Sequence, residues 1–187
     1  MVKLKKTNKT KILGICGSPR KGNSEFALKF LFDNIKGKST EKELVLLRNL
    51  KINYKDSLIS DKIQSGYMKD DIDKVLNKMK SADIIILATP TYFDMPPSLM
   101  KILIDRTSPF YSKKTLKGKK AILICCGEAK VGEGSIERNI RNLESACRSY
   151  MVKIIAKVLF SALLRNEASK NLKLKAQLKN LAKKLSK

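Results

Sequence analysis

The 187 residues include no histidine and no tryptophan. Without histidine there is no imidazole triad, no imidazole metal ligand and no histidine pH switch. Cysteine is scarce. Cys16, Cys125, Cys126 and Cys147 show no C-x-x-C spacing, which argues against zinc ribbons and thioredoxin-type motifs. Acidic residues are few as well: 17 Asp+Glu stand against 40 Lys+Arg, a formal net charge of +23. No stretch approaches the ~18 uninterrupted apolar residues of a membrane span. The longest candidate, Met151 to Leu164, is broken by Lys153 and Lys157. The start, Met1 to Lys11, is basic but leads only into the short apolar run Ile12 to Cys16, so no signal peptide is expected. These features predict a cytoplasmic chain with reduced cysteines.

What is present is a globular mixture, 43% apolar and 30% charged. The length suits one full domain and is short for two. The expected division is a basic N-terminal tail over residues 1–10 and a single domain over 11–187. Lysines crowd both ends: Lys3, Lys5, Lys6, Lys9 and Lys11 at the start, and seven from Lys170 onward with no acid among them. The excess reads either as a lysine-rich soluble surface or as a nucleic-acid or anionic-membrane contact. The first reading is adopted, because there is no nucleic-acid motif and no aromatic–basic interleaving of the kind that stacks bases.

Along the chain, apolar runs alternate with helical patterns. Strands are predicted at Lys11–Cys16, Lys42–Leu47, Asp83–Ala88, Lys119–Cys126 and Met151–Phe160. Helices are predicted over Glu25–Ile35, around Ile72, Val75, Leu76 and Met79, over Pro97–Asp105, and along Ile136, Ile140, Leu143 and Tyr150. Leu174, Leu178, Leu181 and Leu185 put one apolar stripe on a last helix. Asp83–Ala88 is nearly all apolar and β-branched, as suits a strand covered on both faces. Five strand–helix repeats argue for an α/β fold: a doubly wound, five-stranded parallel sheet with helices on both faces. The longest irregular stretch is Asn49 to Lys69, and a loop of that length is usually functional or part of an interface.

In such sheets ligands bind beyond the carboxyl ends of the strands. Three loops there stand out. Gly17-Ser18-Pro19-Arg20-Lys21-Gly22-Asn23-Ser24 joins a strand to a helix. Its glycines permit close backbone approach, while Ser18, Arg20, Asn23 and Ser24 offer donors next to a helix N-terminus. That set describes a phosphate cradle, though neither a P-loop nor a dinucleotide fingerprint. The plainer alternative is a turn with Ser18 or Asn23 as N-cap. The second loop, Thr89 to Ser98, carries three prolines with Tyr92 and Phe93 beyond a buried strand. The third is Cys126-Gly127-Glu128, where Gly127 would let backbone approach a ligand. Asp70 and Asp71 are read as opening a helix, and Asp105-Arg106 as structural.

Together GICGSPRKGNS at Gly14–Ser24, KDD at Lys69–Asp71 and SADIIILATPTYFDMPPSLMKILIDR at Ser81–Arg106 resemble the NADPH-dependent FMN reductase group of the flavodoxin-like superfamily, closest to its iron–sulfur flavoprotein branch. The resemblance runs from Lys11 to about Leu164 and implies a flavodoxin-like sheet with bound FMN. It places the FMN phosphate on Ser18, Arg20, Asn23 and Ser24, the isoalloxazine ring against Pro90, Thr91, Tyr92 and Phe93, and Gly127 and Glu128 on the third side. It implies NAD(P)H as co-substrate, an electron acceptor that is quinone-like, another small molecule or a protein, and a homo-oligomer. Backbone N–H groups of the Pro90–Phe93 and Gly127–Glu128 turns would stabilise the reduced ring, so no protein general base is required. One departure is plain: Ile52 to Asp71 carries none of the branch's clustered cysteines, so no iron–sulfur cluster is expected. The alternatives are a non-catalytic FMN electron carrier and, further off, a basic nucleic-acid binder.

Overall fold

A computed structural model of the chain describes residues 9–37, 39–54 and 70–186. Five strands run in chain order: β1 (Thr10–Cys16), β2 (Thr40–Leu46), β3 (Ile84–Pro90), β4 (Lys120–Gly127) and β5 (Lys153–Ser161). All pair in parallel in the order β2-β1-β3-β4-β5. The sheet grows in one direction from β1 to β2 and in the other from β3 to β5. The β1/β3 seam is therefore the switch point, in register from Ile12↔Ile84 to Cys16↔Ala88. β3 lies between β1 and β4 with both faces covered, which is why its sequence is a continuous apolar run.

Six helices accompany the strands among the described residues: α1 (Asn23–Asn34), α2 (Ile72–Ser81), α3 (Ser98–Arg106), the single turn α4 (Pro109–Ser112), α5 (Ser135–Ser149) and α6 (Leu172–Leu185). Each long helix buries one stripe. On one face of the sheet, Ala27, Leu28, Leu31 and Phe32 of α1 meet Leu174, Leu178 and Ala182 of α6 over Ile86, Ile122 and Ile124. On the other, Val75 and Met79 of α2, Met100 and Leu103 of α3, and Ile140 and Leu143 of α5 cover Leu13, Ile85 and Leu123. The side chains alternate between the two cores along each strand, as the period of two requires.

The expected α/β class, five strands and doubly wound arrangement are all present. Strand and helix ends fall within a few residues of the predicted ones. β5 starts at Lys153 rather than Met151, because Met151 takes a left-handed φ of 55° that ends the preceding turn. Most of the Asn49–Lys69 loop, residues 55–69, lies outside the described part. The stem on either side of it is well tied. The Asp71 N–H donates to the Lys51 carbonyl (2.9 Å) and the Lys51 N–H to Asp71 Oδ2 (2.9 Å). Asp70 accepts from the N–H groups of Asn53 (3.0 Å) and Ile72 (2.9 Å) and pairs with Arg106 at 2.6 Å. The expected roles follow: Asp70 serves the first turn of α2, and Arg106 is structural.

Candidate functional site

β1 ends at Cys16, and the chain crosses the sheet's carboxyl edge before α1 begins. Gly17 is needed there for packing: a Cβ would lie 2.6 Å from Met100 Cβ, so α3 presses on this residue rather than a ligand. Ser18 closes the next turn locally, its hydroxyl donating to the Arg20 carbonyl (2.6 Å) and accepting from the Arg20 N–H (3.3 Å). α1 then starts from Gly22 with no side-chain cap, so neither Ser18 nor Asn23 is an N-cap. The leading N–H groups of a helix have no intrahelical partner, and here the positive end of the dipole points into the loop.

Glu25, in that first turn, is buried, yet its charge is neutralised. Lys29 lies at 2.7 Å and Arg48 at 2.8 Å, as ion pairs rather than aligned hydrogen bonds. Burial alone would raise the Glu25 pKa, but Arg48 and Lys29 outweigh it and hold the carboxyl below its usual range. The helix start therefore stays receptive to an anion.

The second loop leaves β3 at Pro90. Thr91 is fixed from two sides: its N–H donates to the Cys126 carbonyl (2.7 Å), and Asn139 of α5 donates to Thr91 Oγ1 (2.9 Å) and the Pro90 carbonyl (3.0 Å). Tyr92 and Met95 exchange both backbone hydrogen bonds (2.9 and 3.0 Å) around a two-residue tip. The tip residues Phe93 and Asp94 both have positive φ, 47° and 65°. Arg138 fastens the tip through Asp94 at 2.7 Å. The Phe93 ring is left fully exposed.

The third loop leaves β4. A Cβ on Gly127 would meet Ile136 Cγ1 at 3.1 Å and Thr91 Cβ at 3.2 Å, so this glycine too serves close packing of neighbouring elements. A fourth loop, after β5, completes the surround. Leu163 and Leu164 N–H groups both donate to Glu167 Oε2 (2.7 and 2.9 Å). Asn23 reaches across to this loop: its Nδ2 donates to the Leu164 carbonyl (2.9 Å) and its Oδ1 accepts from the Ala168 N–H (3.0 Å).

The four loops enclose a cleft with about 540 Å3 of space open to solvent. Of the sequence-predicted residues, Ser18, Arg20, Asn23, Ser24, Pro90, Thr91, Tyr92, Gly127 and Glu128 line it. Phe93 does not, because the left-handed tip turns it outward. Asn23 lines the cleft with both ends of its amide spent on the 164–168 loop. The turn N–H groups are partly spent too, since Pro90 has none and those of Thr91 and Tyr92 bond within the protein.

Sequence reasoning passed over Ala162, Leu163, Leu164 and Arg165, which line the same cleft. Their signal was position: they follow the carboxyl end of β5. It also passed over Asn139, a fully buried amide whose only trace is a polar residue next to Ile140 on the apolar stripe of α5.

Beneath the cleft lie two thiols. Cys126, at its floor, is pushed up to about 12 by burial first and by nearby Cys16 second, against the opposing influence of Ser24 and Arg20. Cys16 is raised by burial, again opposed by Ser24. Ser24 is itself buried, with its hydroxyl turned to both sulfurs. All four cysteines are free and buried. Among the described residues no three His, Cys, Asp or Glu side chains gather as a metal site, and no helix is long and apolar enough to cross a membrane.

Chemically, the cleft offers helix N–H groups without intrahelical partners, two arginines and a neutral floor, beside flat aromatic and proline surfaces. That donor set fits a phosphate with a planar group attached.

Known proteins bear on this geometry. Residues 10–158 match the family described as NADPH-dependent FMN reductase. An iron-sulfur flavoprotein of Archaeoglobus fulgidus is 40% identical over 99 residues, 52% of this chain and 48% of that protein. One of Methanosarcina thermophila is 31% identical over 136 residues, 71% of this chain and 70% of that protein. The matches thus span from about half to 70% of the length of these relatives. The fold is shared with an FMN-dependent NADH-azoreductase of Bacillus anthracis in complex with FMN, with a TM-score of 0.72 at 14% identity over 95% of this chain and all of that one. The fold, the three loop segments and the extent of the match agree: this chain belongs to the NADPH-dependent FMN reductase family.

Proposed function

We propose that the chain is an FMN-dependent oxidoreductase that takes electrons from NAD(P)H and passes them to a quinone-like, other small-molecule or protein acceptor. The observation that carries this reading is the uncapped start of α1, opening into a cleft at the β1/β3 switch point in a member of this family. When bound, FMN supplies the hydride and electron chemistry. The chain's own residues bind and orient. The first N–H groups of α1 and the Arg20 guanidinium hold the phosphate, and Ser18 fixes the turn that presents Arg20. Pro90, Thr91 and Tyr92 form one wall for the ring, set in place by Asn139, and Gly127 and Glu128 form another.

The Ser24 hydroxyl is directed at sulfur, so it supports the floor. Its main-chain N–H lies in the first turn of α1 and also faces the Cys126 sulfur. No side chain need move a proton, which suits a chain without histidine. An iron–sulfur cluster is not part of the proposal, because the sequence from Ile52 to Asp71 has no cysteine.

The test is a visible spectrum of the purified protein, with the released cofactor identified, followed by anaerobic mixing with NADH and with NADPH. Flavin absorbance that bleaches rapidly is the expected outcome. A flavin that resists both nicotinamides identifies a carrier instead, and folded protein that is colourless and refuses added FMN rejects the reading. Arg20→Ala should weaken FMN binding by ~1.5–3 kcal/mol, the worth of a charge-assisted contact.

A further inference from the structure

Most arginines of the described chain are spoken for: Arg48, Arg106, Arg138 and Arg148 each pair with a carboxylate. The two that line the cleft, Arg20 and Arg165, form no ion pair among the described residues. They come from different loops. Arg20 precedes α1, whereas Arg165 lies in the loop after β5, beyond residue 158 where the family match ends.

Arg165 is held at the cleft by its neighbours. Leu164 on one side has its N–H on Glu167 Oε2 and its carbonyl on Asn23. On the other side Asn166 takes a left-handed φ of 67°, turning the chain so that the Ala168 N–H reaches Asn23 Oδ1. Asn23 is the first residue of α1. The Arg165 backbone is thus one residue from a direct bond to the helix start whose N–H groups are open. The amide that would otherwise serve as a phosphate ligand is used to bring in a guanidinium, which carries a full charge and a planar fork of donors.

Resting on the function proposed above, we infer that Arg165 is a second phosphate-binding residue. With Arg20 it clamps the 5′-phosphate and makes the cleft select FMN over its dephosphorylated form, riboflavin. Asn23 is the positioning residue that holds the clamp in place.

The experiment titrates flavin-stripped protein with FMN and with riboflavin, following flavin fluorescence, for the parent and for Arg165→Ala, Arg165→Lys and Asn23→Ala. The expected result for Arg165→Ala is FMN binding weakened by about tenfold to a hundredfold, with riboflavin binding changed less than about twofold. The salt dependence of FMN binding becomes shallower, because one cation has left the site. Arg165→Lys recovers part of the loss, and Asn23→Ala also weakens FMN more than riboflavin. Arg165 is exposed and makes no ion pair among the described residues, so the fold withstands its replacement; far-UV circular dichroism checks this.

Unchanged FMN affinity in Arg165→Ala overturns the inference. So does an equal loss for FMN and riboflavin, which would make the loop a wall and nothing more. A parent protein that binds neither flavin fails the underlying function, and that outcome is distinguishable from the rest.

Discussion

Replacing Arg106 with methionine tests how residues 51–53 and 70–72 are held together. The guanidinium lies 2.6 Å from Asp70 Oδ2 and 3.3 Å from Oδ1, and also donates to the Asn53 carbonyl at 2.8 Å. Both side chains are buried, 4% exposed for Arg106 and 0% for Asp70. Methionine keeps the length and apolar stem but leaves a buried carboxylate facing no cation. Removing one partner of such a pair costs about 3–5 kcal/mol, most of it the uncompensated charge. Domains of this size lose about 2–4 °C of Tm per kcal/mol, so a fall of roughly 6–20 °C is expected.

Burial alone would raise the Asp70 pKa. Arg106 and the N–H groups of Asn53 and Ile72 outweigh it and leave the carboxyl below its usual value. A depressed carboxyl contributes stability that is present above the unfolded value, about 3.9, and is lost as pH falls through the folded value. The parent should therefore lose stability steeply below about pH 4, and Arg106→Met less steeply. The assay is denaturant unfolding of flavin-free protein, since a bound ligand adds its own stabilisation. A double-mutant cycle with Asp70→Asn completes it. A loss under ~1 kcal/mol, or strict additivity in the cycle, would refute the assignment of a buried, mutually dependent pair.

Three further outcomes follow from local geometry. Phe93→Asn should raise stability by about 1 kcal/mol, because the exposed ring gains nothing while its φ of 47° is costly for a bulky residue and mild for asparagine; a lower Tm would show that the ring has a partner in the folded protein. Gly17→Ala should destabilise by about 1–3 kcal/mol through overlap of the new methyl with Met100, and an unchanged Tm would show that α3 can yield. The thiols should resist alkylation in native protein at pH 8 and react fully once it is unfolded, because burial pushes Cys126 up to about 12 and Cys147 to about 11. Rapid native labelling of Cys126 at pH 8 would place its sulfur outside the floor.

Much of the fold was legible because it is written in short-range pattern. Ile84–Pro90 is buried on both faces, and an unbroken apolar run announces that directly. The helix stripes of α2, α5 and α6 repeat at 3.6 residues and land on the sheet. Helix starts were less clear. α1 begins at Asn23, two residues earlier than expected, because its cap is Gly22 and a glycine cap leaves no side-chain signal. The turn α4 is too short to show any period. The outward turn of Phe93 was hidden for a related reason: two-residue hairpins with positive φ at both positions favour Asn-Gly or Asp-Gly, and Phe-Asp advertises neither.

The cleft separates what sequence rules can reach from what they cannot. The loops at the ends of β1, β3 and β4 were found by the rule that ligands gather at strand carboxyl ends, and nine of the ten candidates do line one cavity. That rule applies equally to β5, where Arg165 sits. What the residues alone could not tell was how Asn23 spends its amide. Its two partners, Leu164 and Ala168, lie 141 and 145 positions away, and no local spacing encodes such a contact. An asparagine beside a glycine-rich turn reads as a ligand; folded, it is a tie between the first loop and the last. The tie matters because it holds the 164–168 loop, and with it Arg165, beside the start of α1. Two bonds from one side chain thus decide where Arg165 stands, and neither partner is marked by any local pattern in the sequence.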